Sequence, residues 1–228
     1  MLFRSAWVPN RGEKKSTVTS EPRQEGERRF VVEDEHATAP GLAVIFNNLP
    51  ERRSDGYYAL TLLGQLLFEG KSARLYQALV KEAQLATAID EPFTGGLGFP
   101  TSGWETYKAP GLFGGFFLKK EGADSDAIRG IVLAEIGKIA QEGVDRKELE
   151  RVRTKFRSDW IRARQTTRGR AAALLRAEIL DGDAALANGE LEKFLSVARE
   201  DLKNAAGKYL IPAALNIFEL RPKKEAIK

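Results

Sequence analysis

The chain has 228 residues, with no Cys, one His and one Met, and carries a net charge of +4. Without Cys there is no disulfide scaffold, iron–sulfur cluster, cysteine nucleophile or Cys-based zinc finger, and His36 alone cannot supply both histidines of an H-E-x-x-H zinc site. No stretch approaches the ~18 consecutive apolar residues of a membrane span, and 43% apolar with 30% charged residues is the balance of a globular chain.

Residues 1–27 are polar and broken by Pro9, Gly12, Pro22 and Gly26, which reads as a linker or extended arm. The segment lacks the apolar core and small-residue cleavage site of a signal peptide. Residues 28–228 read as a single domain. Arg29–Val32 and Leu42–Phe46 are short, β-branched and aromatic, and the turn-forming Thr38-Ala39-Pro40-Gly41 separates them, so both read as strands. Ser54 is a good N-cap. Tyr57, Leu60, Leu63 and Leu67 then recur at helical spacing, which predicts a helix over 55–68 ended by Gly70. Ser72 is expected to cap a second helix running to Glu82, with Leu75, Leu79 and Val80 facing inward.

Leu85–Ile89 reads as a strand, and the Gly- and Pro-rich Thr94–Gly111 as a long loop. Leu112–Leu118 reads as the next strand, where Gly114-Gly115 predicts a bulge or a close backbone approach. Ile128, Ile131, Ile136 and Ile139 define a helix stopped by Gly143. Asp145 and Glu148 form a capping box for another, whose apolar stripe is Leu149, Val152, Phe156 and Trp160. Ala171–Leu180, Leu191–Val197 and Leu202–Leu210 read as further helices, and Leu215–Leu220 as a closing strand. Clustered helices after paired strands give an α+β class: a mainly antiparallel sheet with helices packed on one face.

Several segments could carry chemistry. Gly64–Ser72 contains Gly70-Lys71-Ser72, but five residues rather than four separate its glycines, and its leading segment is helical. A phosphate loop needs a strand there, so this reads as a joint between two helices. His36 lies among Glu33, Asp34 and Glu35, which reads as a solvated strand end. No G-x-S-x-G elbow accompanies it. Gly95–Gly98 has no helix start behind it and reads as a hairpin loop. Asp145–Arg170 holds 10 basic and 4 acidic residues. Arg146, Arg153, Arg157 and Arg164 flank its apolar stripe, and Lys147, Arg151, Lys155 and Arg162 lie opposite. Such a helix could meet nucleic-acid phosphates. Its aromatics fall on the apolar stripe, however, so a solvated helix face is favoured and no nucleic-acid partner is expected.

Three segments carry a resemblance. Gly70-Lys71-Ser72-Ala73-Arg74-Leu75-Tyr76-Gln77-Ala78-Leu79 resembles the G-x-S-S-R-L-x-Q-x-L segment of the pitrilysin/insulinase-like zinc peptidases, which include the mitochondrial processing peptidases. Gly143-Val144-Asp145-Arg146-Lys147-Glu148-Leu149 resembles that family's G-V-T-x-x-E-L helix start. Val197–Leu210 resembles its V-T-x-E-D-V…A-x-K-Y-L ending, with Ala198 in place of the capping Thr. The three occur in family order.

The resemblance implies the non-catalytic C-terminal domain of such a peptidase. Zinc is then expected on another domain, with no catalytic residue, metal ligand or cofactor in this chain. The implied partners are a zinc-bearing N-terminal domain or partner subunit and a peptide substrate, with a dimer in the full protein. The alternative within the family is a stand-alone inactive subunit that pairs with an active chain. The implied compartment is the periplasm, with the cytoplasm left open. Family members often hold substrate with an Arg and a Tyr in the pattern L-R-x-x-x-x-L-x-Y. Here Leu79 and Leu85 keep the pattern, but Val80 stands at the Arg position and Thr87 at the Tyr position.

Overall fold

The computed structural model describes residues 22–90 and 111–223. Its strands are β1 (Arg28–Asp34), β2 (Gly41–Phe46), β3 (Ala86–Asp90), β4 (Phe113–Lys119) and β5 (Leu215–Pro222). Its helices are α1 (Asp55–Phe68), α2 (Ser125–Glu142), α3 (Arg146–Ala163), α4 (Thr167–Arg176), α5 (Leu186–Ser196) and α6 (Arg199–Tyr209). One sheet runs in the order β1-β5-β2-β4-β3. β5–β2, β2–β4 and β4–β3 are antiparallel, as the sequence suggests, while β1 joins β5 in parallel. This α+β arrangement is therefore mixed at one edge. The two parallel strands are far apart in sequence, and the other three strands and all the helices lie between them, which supplies the long connection that parallel pairing demands.

The helical face is built from one parity of each strand. Leu42, Val44, Phe46, Phe113, Phe117, Leu215 and Ile217 join α1 and the outer helices in one core. α1 is buried continuously from Tyr58 to Phe68. An all-round buried helix belongs between two layers, here the sheet and the outer helices. Phe68 stands edge-on to Phe113 with ring centroids 5.7 Å apart.

The glycine pair of β4 makes close approaches. A Cβ on Gly114 would lie 2.0 Å from the Val44 carbonyl oxygen, and one on Gly115 would lie 2.6 Å from the Phe68 ring. The sheet's irregularity falls instead in β3, between Ala86 and Ala88.

Several boundaries differ from expectation. Ser72 caps no helix. Its hydroxyl lies 2.7 Å from Arg151 Nη1, and the chain from Tyr76 to Glu82 is wound as a π-helix. Ala83 N donates to Ala78 O, five residues back, at 2.9 Å. A second π-helical turn, Ala177–Asp181, continues α4. Apolar spacing distinguishes these poorly from ordinary helix. α5 begins earlier than the expected Leu191, and α6 starts at Arg199, with Asp201 accepting from Ala198 N at 2.7 Å. Asp145 and Glu148 do form the capping box of α3. Residues 1–21 and nearly all of the Thr94–Gly111 loop, Gly95–Gly98 included, lie outside the described residues. Gln24 is buried, and its amide nitrogen donates to Gly26 O at 2.7 Å and Leu215 O at 3.0 Å.

A polar clamp joins the two layers. Lys119 Nζ on β4 donates to Glu219 on β5 at 3.0 Å and to Ser125 Oγ at 2.5 Å, and Ser125 Oγ donates to Glu219 at 2.9 Å. Burial opposes ionisation of Glu219, but hydrogen bonds from Arg221, Lys119 and Ser125 prevail and bring its pKa from 4.5 to about 2. A carboxyl depressed by folding stabilises the fold above its ordinary pKa, and that gain is lost as the pH falls toward the folded value. Chemical denaturation from pH 7 to 2 is expected to show stability falling between pH 4.5 and about 2. Glu219→Gln is expected to be less stable at pH 7, with a shallower acid decline.

Gly114→Ala is expected to cost about 3 kcal/mol, because the obstructing atoms are backbone. Gly115→Ala is expected to cost less, because a side chain faces it. Denaturant midpoints of the two variants order the effects.

Candidate functional surface

The strand parity opposite the core makes a second apolar surface. Ala43 and Ile45 are buried but stand outside the helix-facing core cluster. Ala43 is in register with Phe116 and Phe218, and Gly41 with Leu118 and Leu220. Phe30 on β1 stacks on Phe218 with ring centroids 4.8 Å apart. Gly41 lies beneath Phe116, whose ring would stand 2.1 Å from a Cβ there. This surface therefore presents aromatic and aliphatic side chains rather than the polar alternation of a solvated sheet face.

Val80 and Thr87 lie on the π-helical turn and on β3, which touch one another. Val80 is half-buried and packs against the core. Thr87 is exposed, and its hydroxyl donates to Leu118 O at 3.3 Å. Valine has no polar hydrogen to offer an oxyanion, and the threonine hydroxyl is engaged with the sheet.

His36 is also exposed. Its backbone N donates to Asp34 Oδ1 at 2.8 Å, and Nε2 lies 3.7 Å from Glu35. Among the described residues no group of three or more His, Asp or Glu side chains could hold a metal ion. The Gly64–Ser72 segment is the end of α1 followed by a left-handed Gly70 (φ +81°), a joint rather than a phosphate loop.

Much of the basic charge on α3 is satisfied internally. Lys155 pairs with Glu69 at 2.5 Å and Asp159 at 2.6 Å, and Arg162 pairs with Asp159 at 3.4 Å. Arg153 pairs with Glu150 at 2.6 Å and donates to Val197 O at 2.7 Å, while Arg164 lies over the Trp160 ring, 3.5 Å from its centroid. Phe156 and Trp160 are buried in the core, as their place on the apolar stripe predicts. A shallow surface depression of about 640 Å³ on this helix is lined by both signs, including Glu150, Arg151, Lys155 and Asp159.

One constellation is assembled from residues far apart in sequence. Arg52, just before α1, forks onto Asp181 through Nε at 2.9 Å and Nη2 at 3.0 Å. Its Nη2 also reaches Glu190 on α5 at 3.2 Å, and its Nη1 donates to Tyr57 Oη at 2.8 Å. The Arg52, Asp181 and Glu190 side chains are 7%, 5% and 5% exposed. Arg53, held at φ +65°, adds a contact to Asp181 at 3.2 Å.

The two acids diverge. Burial disfavours both anions, but the Arg52 fork outweighs it at Asp181, whose pKa is lowered. At Glu190 burial prevails over Arg52 and Arg53, and the pKa is raised. Burial also pushes the Tyr57 phenol well above its ordinary value, against the pull of Arg52. The one sequence signal for this cluster is Glu190 itself. It stands with Ala187 and Phe194 on the buried stripe of α5, where an acid requires a partner.

These features define an α+β domain with a five-stranded sheet, helices on one face and no metal-binding cluster among its described residues. Residues 5–156 match the family model described as the peptidase M16 inactive domain, and the chain belongs to this family. A Helicobacter pylori protease matches 96% of the chain over 50% of its own length, with 20% identity and a TM-score of 0.79. The inactive peptidase domain assigned to a zinc protease of Bordetella parapertussis matches 83% of the chain over 96% of its own length, with 23% identity and a TM-score of 0.67. The periplasmic protease PqqL of Escherichia coli matches 87% of the chain over 21% of its own length, with 14% identity and a TM-score of 0.62. The chain thus spans half the length of the Helicobacter protease. No curated protein sequence matches it.

Truncating Arg52 leaves two buried carboxylates with only the Arg53 contacts at 3.2 and 3.6 Å, so Arg52→Met is expected to destabilise by about 3 kcal/mol. Asp181→Asn is expected to lose stability at pH 7, with the deficit shrinking as the pH falls through the ordinary aspartate range, because the depressed pKa stabilises only above it. Glu190→Gln is expected to behave oppositely. A raised carboxyl pKa costs stability once the pH exceeds the ordinary glutamate value, so the substitution relieves a penalty at pH 7 that is absent at pH 4. Thermal melts of Arg52→Met and Glu190→Gln at pH 7 and 4, and of Asp181→Asn at pH 7 and about 3, read the three effects.

Proposed function

We propose that this chain is the non-catalytic C-terminal domain of a zinc metallopeptidase, residues 28–228, entered through a linker over residues 1–27. It forms one wall of the substrate chamber and packs against a zinc-bearing half. The observation that carries this reading is the apolar sheet face of Ala43, Ile45, Phe116 and Phe218, which lies opposite the helical layer. Ala43 and Ile45 are already buried and Phe116 and Phe218 half-buried, so an extended peptide in a closed chamber would complete the cover over the two rings. The chain's match to 50% of the length of the Helicobacter protease supports a second half that packs against this one.

Val80 and Thr87 stand at the positions that in relatives by resemblance carry an Arg and a Tyr. With Val80 packed inward and Thr87 bonded to Leu118 O, any oxyanion donor comes from the partner. Zinc belongs to that partner as well, in the same polypeptide or as a separate active subunit. The periplasm is the compartment we favour, supported by the shared fold of PqqL. A nucleic-acid role for the 145–170 helix is disfavoured by the internal pairing of Lys155, Arg153 and Arg162.

The test is metal content and peptide hydrolysis, alone and with the zinc-bearing half. The chain alone is expected to hold far less than one zinc per molecule and to cleave no peptide. Adding it to the zinc-bearing half is expected to raise kcat/KM by about tenfold or more, as substrate-positioning elements do. Stoichiometric zinc with hydrolysis by the chain alone overturns the reading.

A further inference from the structure

Among the described residues β1 is an edge strand of the sheet, and its centre is apolar and exposed: Phe30 is 44%, Val31 54% and Val32 47% exposed. An open apolar edge is a template for another strand, and proteins ordinarily blunt such edges with central charge, Pro or a bulge. β1 has its charges only at its ends. Its sequence is Arg28-Arg29-Phe30-Val31-Val32-Glu33-Asp34.

That order is self-complementary under antiparallel pairing. With Val31 at the centre, Arg28 faces Asp34 of a second copy, Arg29 faces its Glu33, Phe30 faces its Val32, and Val31 faces its own counterpart. Parallel pairing in register would instead set Arg beside Arg and acid beside acid, which is unfavourable.

The backbone supports the same register. Lys223 N donates to Asp34 O at 3.0 Å, so Asp34 turns its peptide groups toward β5. By strand alternation Phe30 and Val32 do likewise, and Arg29, Val31 and Glu33 turn theirs outward. Val31, the residue on the two-fold axis, thus has a free N–H and C=O to exchange with its counterpart, and the Arg29–Glu33 pairs do the same on either side. On the order of six backbone hydrogen bonds result.

We propose that β1 is a homodimerisation edge, pairing antiparallel with β1 of a second copy to make one continuous sheet across a two-fold axis. Such an isologous contact closes on itself and builds no filament. Each end carries an Arg28–Asp34 pair, while Arg29 is already held in its own chain by Glu27 at 2.8 Å and Asp126 at 2.6 Å, and the Phe30–Phe218 stack extends the apolar surface beside the join.

Sedimentation equilibrium of the 228-residue chain tests this. The wild type is expected to show a two-copy mass. Val31→Pro removes an outward N–H rather than one bonded to β5, at an edge where proline is tolerated, so circular dichroism should be unchanged while the dimer Kd rises by about tenfold or more. Arg28→Asp and Asp34→Arg each set like charges opposite one another at both ends, and each is expected to weaken the dimer by about tenfold or more. Mixed one to one, those two variants are complementary again and should recover heterodimers close to wild-type affinity. That recovery separates edge pairing from loss of folding. A wild-type chain still monomeric at about 100 μM overturns the proposal, as do single reversals that dimerise like the wild type or a mixture that fails to recover. A monomer that instead captures an extended apolar peptide at this edge also overturns it.

Discussion

The structure depends on the burial of α1 around its whole circumference. Tyr58 through Phe68 are all withdrawn from solvent, so this helix is stable only when covered on every side. The sheet covers one side through Phe46, Phe113 and Phe117, and α3, α5 and α6 cover the rest. Both ends are then fixed by special chemistry. At the start, Arg52 and Arg53 tie the entry loop to Asp181 and Glu190. At the finish, Phe68 fits over Gly115, where any larger residue meets its ring, and Gly70 turns the chain with a positive φ. Close contact of helix and strand explains the glycine pair of β4 better than any flexibility of the strand.

Features set by neighbours in sequence were readable from sequence. The leucine period marked α1, the Asp145–Glu148 box marked α3, and Gly114-Gly115 announced a close approach. Features set by distant partners were not. Arg52 meets Asp181 and Glu190 across 129 and 138 residues, and no local pattern links them. The parallel join of β1 to β5 likewise depends on residues from opposite ends of the chain. The π-helical turns escaped for another reason. Their apolar faces repeat closely enough to ordinary helix that Leu75 and Leu79 fit either winding, and Ser72, so suitable as a cap, was drawn to Arg151 instead. Of the candidate surface, the resemblance supplied Val80 and Thr87, whereas the apolar face required the strand register.

Charge in this domain sorts by depth. The conspicuous basic run of α3 lies at the surface, and its pairs with Glu69, Glu150 and Asp159 are of the kind that contribute at most ~1 kcal/mol each. The inconspicuous Arg52 cluster is buried, where a lost partner is costly. Counting charges along the sequence therefore points to the wrong place. Glu190 also gives this cluster a built-in tension, since its anion is the less favoured of the two acids that share Arg52. The fold tolerates that tension because Asp181 takes the two-pronged contact of Arg52, while Glu190 is reached at 3.2 Å by Arg52 and at 3.6 Å by Arg53.

A helical layer on one side of a sheet leaves two kinds of unsatisfied surface, a face and an edge, and they point in different directions. The face of Ala43, Ile45, Phe116 and Phe218 looks along the sheet normal. The edge of Arg28–Asp34 lies in the plane of the sheet. A cover on the face and a second copy at the edge therefore need not compete, provided that Phe30 and Val32 serve as the shared border. With peptide on the face and another copy at the edge, loss of the edge would leave the chamber wall of each copy intact. The two roles are separable by substitution. Val31 turns its backbone outward and its side chain away from the apolar face, whereas Phe116 belongs to that face alone.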